Sequence, residues 1–262
     1  MGVVATQSFT NPSYGPLGLR MMKKGVAPRR IVEEMTGSDP GRDLRQLAVL
    51  DSRGRVSAYT GRRCVPEAGH IVGKSYSVQA NMMLSDEVWP SMAKAFSKAR
   101  GDIAIRMLAA LEAAEKARGD IRGRQSAALL VVRGVATGRV WEDRLVDLRV
   151  DDSSDPVGEI RRILDVHRAY EHMNKGDLAL EGGDVPSALR HYSTAERMNP
   201  DNEEMKFWHA AMLVNVGEFD RSLPLFSEVF SKNENWRKFL TRLVPLGLLN
   251  VDGARLRELM EL

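Results

Sequence analysis

A run of small polar and acidic residues, Asp151-Asp152-Ser153-Ser154-Asp155-Pro156, divides the chain into two parts that are patterned differently. Before it, short apolar or alternating stretches are interleaved with stretches of helical periodicity. After it, only helical periodicity is found. The order is strand, helices, strands, helices, strands, then helices alone. This predicts an α+β first domain over residues 1–155 and an all-α second domain over residues 156–262. Helices grouped between antiparallel-looking hairpins predict stacked sheet and helix layers rather than a parallel βαβ sheet.

Within the first part, a strand at Val3-Val4-Ala5 begins almost at the first residue and runs into a loop rich in hydroxyls and amides. With no lead-in and no neighbour in sequence to pair with, it reads as the middle of a sheet. Helices are expected either side of a break at Gly25-Val26-Ala27-Pro28, since proline suits a first helical turn. Arg45 to Leu50 and Arg55 to Thr60 flank the turn Asp51-Ser52-Arg53-Gly54, which predicts a hairpin. A second strand pair, His70 to Val72 and Ser75 to Asn81, surrounds Gly73-Lys74. Ser85, followed by Asp86 and Glu87, reads as a helix cap. The helical pattern breaks at Gly101-Asp102 and resumes from Ile103 to Arg118. Arg124 to Val132 is a continuous apolar stretch of the sort buried on both faces, and Leu145 to Val150 alternates.

Composition excludes several classes. Hydrophobic residues make up 43% of the 262 and charged residues 28%, the balance of a soluble globular chain. No apolar run approaches the roughly 18 residues that a membrane span needs, and Met1 to Leu19 lacks the basic start and apolar stretch of a signal peptide. The single cysteine, Cys64, excludes an internal disulfide and fits a reducing, cytoplasmic setting. Residues 156–262 hold 14 Lys+Arg and 17 Asp+Glu, so the overall +3 is a −3 tail joined to a +6 remainder. The basic residues are scattered without interleaved aromatics, which argues against a nucleic-acid partner. No Gly-rich dinucleotide or phosphate loop occurs. His70, His167, His172, His191 and His209 show no ligand spacing, so neither a metal nor a cofactor is expected. Asp151, Asp152 and Asp155 are expected simply to face water.

The second part resembles a tetratricopeptide repeat. Gly176, Gly183, Ala188, Tyr192, Ala195 and Pro200 fall at that family's spacings, and a 34-residue shift lands on Ala210, Gly217, Ser222, Phe226 and Val229. The resemblance implies two helix pairs, with Val157 to Arg168 stacked before them and residues 236–249 and 254–262 after them. It also implies a concave groove that binds a peptide or protein partner. Glu204, Phe207, Trp208 and Ala211 occupy groove-type positions, which departs from the basic and amide set that holds a C-terminal carboxylate. Phe207 and Trp208 are therefore the candidate partner-binding residues, with packing as the competing role.

The first part resembles a prokaryotic family of unknown function placed with the N-terminal-nucleophile (Ntn) hydrolases. The resemblance lies in residues 4–15 (Val4-Ala5-Thr6-Gln7-Ser8-Phe9-Thr10-Asn11-Pro12-Ser13-Tyr14-Gly15) and in Asp39-Pro40-Gly41-Arg42, Thr60-Gly61-Arg62-Arg63-Cys64, Gln79-Ala80-Asn81-Met82, residues 123–130 and residues 146–152. It implies an Ntn-hydrolase-like αββα sandwich. In that superfamily a leading Thr, Ser or Cys attacks an amide carbonyl and its own α-amine takes the proton. Family members carry a further strand or two before the segment matching Val3-Val4-Ala5. The numbered chain begins Met1-Gly2, so no catalytic nucleophile is carried over.

The candidate pocket residues are Thr6, Gln7, Ser8 and Asn11 at one strand end, Gln79 and Asn81 at a second, and Arg124, Gln125 and Ser126 at a third. Amides and hydroxyls suit an amide substrate and an oxyanion, and an arginine suits a carboxylate. The competing role for each is to cap helices and tie loops. Two functions follow. One is hydrolysis of a small amide or peptide-like bond. The other is a non-catalytic binding or assembly module acting through the tail. A homodimer is expected in either case.

Overall fold

A computed structural model describes residues 2–262. The chain divides into two units, Met1–Arg161 and Arg162–Leu262. The first has mixed α and β structure and the second is helical.

The first unit opens with strand β1 (Gly2–Ser8) and helices α1 (Tyr14–Lys23) and α2 (Pro28–Gly37), followed by β2 (Arg45–Asp51) and β3 (Val56–Thr60). The three strands form an antiparallel sheet in the order β1-β2-β3. Among the described residues β1 pairs on one side only, with β2, where its sequence predicted an interior strand. Side chains alternate across the sheet. Leu47 and Val49 of β2 enter a buried core with Tyr14, Ile31, Val32 and Met35 of the two helices. Gly18 allows this approach, because a Cβ there would sit 2.9 Å from Val4 Cγ2. Complete burial of a residue such as Ile31 is worth about 2–3 kcal/mol.

The hairpin β4 (Gly69–Gly73) and β5 (Tyr76–Ala80) forms a second, separate sheet. It packs against β2 and β3 on one side and against helix α3 (Val88–Lys98) on the other. Helix α4 (Ile103–Lys116) lies along α3. Ser85 is not the cap expected of it. α3 starts three residues later, and the Ser85 hydroxyl donates to the Ala117 carbonyl at 3.3 Å. Asp102 does cap α4, accepting from the Ile105 N–H at 3.1 Å.

Strands β6 (Ala127–Val132) and β7 (Arg144–Val150), joined through the short helix α5 (Val140–Asp143), make a two-stranded ribbon beside α4. The expectation that β6 is buried on both faces fails. Leu129 is buried, but Leu130 is 54% exposed and Val132 45%. With one partner strand and one covering helix, only the face carrying Leu129 is enclosed.

Helix α6 (Pro156–Glu181) leads into the second unit, which continues with α7 (Val185–Met198), α8 (Glu203–Asn215), α9 (Phe219–Lys232), α10 (Asn235–Leu243) and α11 (Gly253–Glu261). Gly183 and Gly217, 34 residues apart, follow α6 and α8 in the left-handed region at φ 77° and 85°, where glycine carries no steric penalty. Asp184 and Asn202 then cap α7 and α8 through the N–H groups of Ser187 and Met205. Ala188, Tyr192 and Ala195 are buried with Ala169, Met173 and Met205. Phe207, Ala210, Phe226 and Val229 form a second core, closed by Leu240 and Leu243 of α10 and Leu259 of α11.

Candidate functional site

The register of the first sheet sets Gln7, Gln46 and Thr60 side by side on three adjacent strands. They share the face opposite Leu47, turned toward the second sheet. Gln46 is completely buried there. Its carbonyl oxygen accepts from Gln7 Nε2 at 2.6 Å and from Asn81 Nδ2 at 3.1 Å. Its amide nitrogen lies 3.1 Å from the Gly69 carbonyl, 3.0 Å from the Ala80 carbonyl and 2.9 Å from Thr60 Oγ1. One side chain thus joins both sheets, and its two amide protons are shared among three acceptors.

Thr60 Oγ1 lies 2.9 Å from Gln46 Nε2 and 2.8 Å from His70 Nδ1, so the hydroxyl links the buried cluster to the imidazole. Burial lowers the His70 pKa below its ordinary value, so the ring is neutral at pH 7. Thr60 and His70 line a depression of about 490 Å³ together with Arg62, Cys64, Glu67 and Trp89. Gly69 lies under the Trp89 indole, where a Cβ would be 2.5 Å from Cε2. The depression presents the Thr60 hydroxyl and a neutral imidazole beside the Trp89 indole, with the buried amide cluster holding Thr60 from behind.

The sequence candidates separate into groups. Gln7 and Asn81 join the Gln46 cluster. Gln79 pairs with His70 across β4 and β5, and its Oε1 accepts from Ser77 at 3.1 Å. Thr6 faces the other side of β1, where its hydroxyl is enclosed without a hydrogen-bond partner. Ser8 ends β1 at φ 66°, and its carbonyl accepts from Thr10. Asn11 has a structural role. It accepts from the N–H and hydroxyl of Ser13 and donates to Asp39 at 3.2 Å. Asp39 also takes Arg45 Nε at 3.0 Å, the Tyr14 hydroxyl at 2.8 Å and the Gly41 N–H at 2.7 Å. The Arg45 guanidinium, then these other donors, hold the Asp39 carboxyl well below the usual carboxylate range, against the opposing effect of burial.

Arg124, Gln125 and Ser126 are exposed and take no part in the cluster. Arg124 pairs with Glu115 and with Asp155, and the Gln125 carbonyl takes the Ser153 N–H. Gln46, Thr60 and His70 are not among the site residues that the sequence singles out, and the one signal for Gln46 is an amide next to the apolar run Leu47–Leu50.

In the second unit a groove of about 640 Å³ is lined by, among others, Tyr170, Asp177, Tyr192, Glu204, Trp208 and Asn215. Trp208 is partly buried and faces it. Phe207 does not. It is fully buried, stacked on Trp236 at 4.8 Å and edge-on to Phe226 at 5.5 Å, which corrects its assignment as a partner-binding residue. Asn215 donates to the Leu248 carbonyl at 3.0 Å and accepts from the Asn250 N–H at 2.7 Å, fixing the loop at one end of the groove.

Fold and site together define a mixed α+β protein with a C-terminal helical region. The chain belongs to DUF1028, a family of unknown function whose model matches residues 1–160. It is similar to the crystal structure of protein SPO2555 from Silicibacter pomeroyi, which carries the same family model, with 30% identity and a TM-score of 0.54, over 62% of this chain and 68% of that one. A local similarity, 40% identity over 55 residues, links 21% of the chain to 17% of Stress-induced-phosphoprotein 1 from Caenorhabditis elegans. Among the described residues no helix is long and apolar enough to cross a membrane.

Proposed function

We propose that the first unit is an Ntn-hydrolase-like αββα domain that binds and hydrolyses a small amide or peptide-like compound between its two sheets. The observation that carries this reading is the Gln46 cluster. The side-chain amides of Gln7 and Gln46 from two strands and of Asn81 beyond a third meet in one buried cluster, which Thr60 connects to a neutral histidine lining a depression. The layer sequence of α1 and α2, then β1–β3, then β4–β5, then α3 supports the sandwich. Gln7, Asn81, Thr60 and His70 have binding and orienting roles, and none of them is assigned as nucleophile. The test is turnover of a panel of glutamine, asparagine and N-acyl amides by protein from its native source, with the N-terminal residue determined. Release of amine or ammonia that His70→Asn abolishes is expected. A native protein with a leading Thr, Ser or Cys and no turnover sinks the reading.

A second reading is favoured by the groove in the second unit. The paired left-handed glycines, Gly183 and Gly217, and the buried small residues Ala188 and Ser222 support a tetratricopeptide-like array. In this reading residues 156–262 bind an extended partner segment, and the sandwich is a scaffold. Loss of partner binding on Trp208→Ala, with folding intact, tests it.

A further inference from the structure

We infer that the groove of the second unit accepts a lysine- or arginine-bearing extended peptide segment of a partner protein. This rests on the binding-module reading above and adds the chemistry of the ligand.

Three carboxylates, Asp177, Glu181 and Glu204, line the groove, and no Lys, Arg or His does so among the described residues. Two of the three are held in place by tyrosines. The Tyr192 hydroxyl donates to Asp177 Oδ1, and the Tyr170 hydroxyl donates to Glu204 Oε2. Each bond fixes one oxygen of a carboxylate that lines the groove and leaves the negative charge in place. Trp208 and the two tyrosines add aromatic surface, which attracts a cation positioned over a ring face. A carboxylate-bearing ligand would instead meet three negative charges with no cation to offset them. The −3 balance of residues 156–262 extends the same sign of field beyond the groove.

Size and the remaining lining argue for a peptide. The volume of about 640 Å³ suits several residues. Asn174 and Asn250 present amides that can pair with an extended main chain, and Leu180, Met173 and Leu248 give apolar sites between them. A free polyamine would use the carboxylates and leave these unmatched.

The experiment is fluorescence anisotropy on the full chain with three labelled peptides of about ten residues, alike except that alternate positions carry Lys and Arg, Gln, or Glu. The basic peptide is expected to bind about tenfold or more tighter than the Gln peptide, and to weaken as salt rises. Glu204→Gln and Asp177→Asn keep an acceptor for their tyrosines and remove only charge. Each should weaken the basic peptide about three- to tenfold at an unchanged melting temperature. Equal or tighter binding of the Gln or Glu peptide overturns the charge assignment and leaves the groove a peptide site. Failure of all three overturns the charge assignment and the binding-module reading together. Displacement by spermidine at the peptide's own concentration overturns the peptide assignment.

Discussion

Gln46 on β2 and Asn81 at the end of β5 share an amide hydrogen bond of 3.1 Å, although their strands belong to different sheets. Replacing Gln46 by Leu keeps volume and burial but leaves the Gly69 and Ala80 carbonyls and the Gln7 and Asn81 amides without this partner. Unsatisfied buried groups cost about 1–3 kcal/mol each, partly relieved by relaxation. Gln46→Leu should therefore lower stability by about 2–4 kcal/mol. Urea denaturation at pH 7 reads the difference.

His70 titrates below its ordinary value because it is buried. The unfolded chain takes up the proton first as pH falls, so the folded state loses stability relative to it over that interval. Wild type should weaken between pH 7 and pH 5 more steeply than His70→Asn. An NMR titration midpoint for His70 at or above 6.5 would contradict this.

Asp39 behaves differently. Its folded pKa is depressed, first by Arg45, so its contribution is complete above the unfolded carboxylate range and is lost as pH falls below it. Asp39→Asn should cost about 2 kcal/mol at pH 7. The gap from wild type should be flat between pH 5 and pH 7 and should narrow below pH 4. Thermal melts across that series give the profile.

Gly61 sits against backbone. A Cβ there would meet the Asp43 carbonyl oxygen at 2.3 Å and the Arg42 carbonyl oxygen at 2.5 Å. Neither atom can rotate away, so Gly61→Ala should destabilise by about 1–3 kcal/mol and displace Arg62 at the mouth of the depression. A melting temperature equal to wild type would refute this close approach.

Phe207 and Trp208 are neighbours with opposite duties. Phe207→Ala opens a cavity in a closed aromatic core and should cost about 3–5 kcal/mol. Trp208→Ala should cost less stability, because its side chain is only partly enclosed. Chemical denaturation of the two variants side by side orders them.

Local chemistry made much of the architecture readable. Asp51-Ser52-Arg53-Gly54 announced its hairpin, and Pro28 opened its helix at the expected place. The central residue of the site gave little sign of itself. Gln46 follows Arg45 at the polar start of its strand, ahead of the apolar run, and its partners lie 14 to 39 residues away in sequence. Asn11 is the converse case. Its loop has the composition of a site, and in the structure its amide bonds to Ser13 and Asp39. The apolar run of β6 promised two buried faces, and run length alone cannot show that only one face finds a covering helix. Phe207 and Trp208 are adjacent in sequence, and the helix turn between them decides which faces the core and which the groove.

The Gln46 amide also bears on how the protein ages. Deamidation would exchange a donor for an anion placed against the Gly69 and Ala80 carbonyl oxygens, a one-atom lesion where the two sheets are joined. That chemistry consumes water, and Gln46 has no exposed surface for water to reach. The enclosure that makes the residue hard to replace also shields it from hydrolysis. Chemical damage at this position would therefore follow the rate at which the two sheets part.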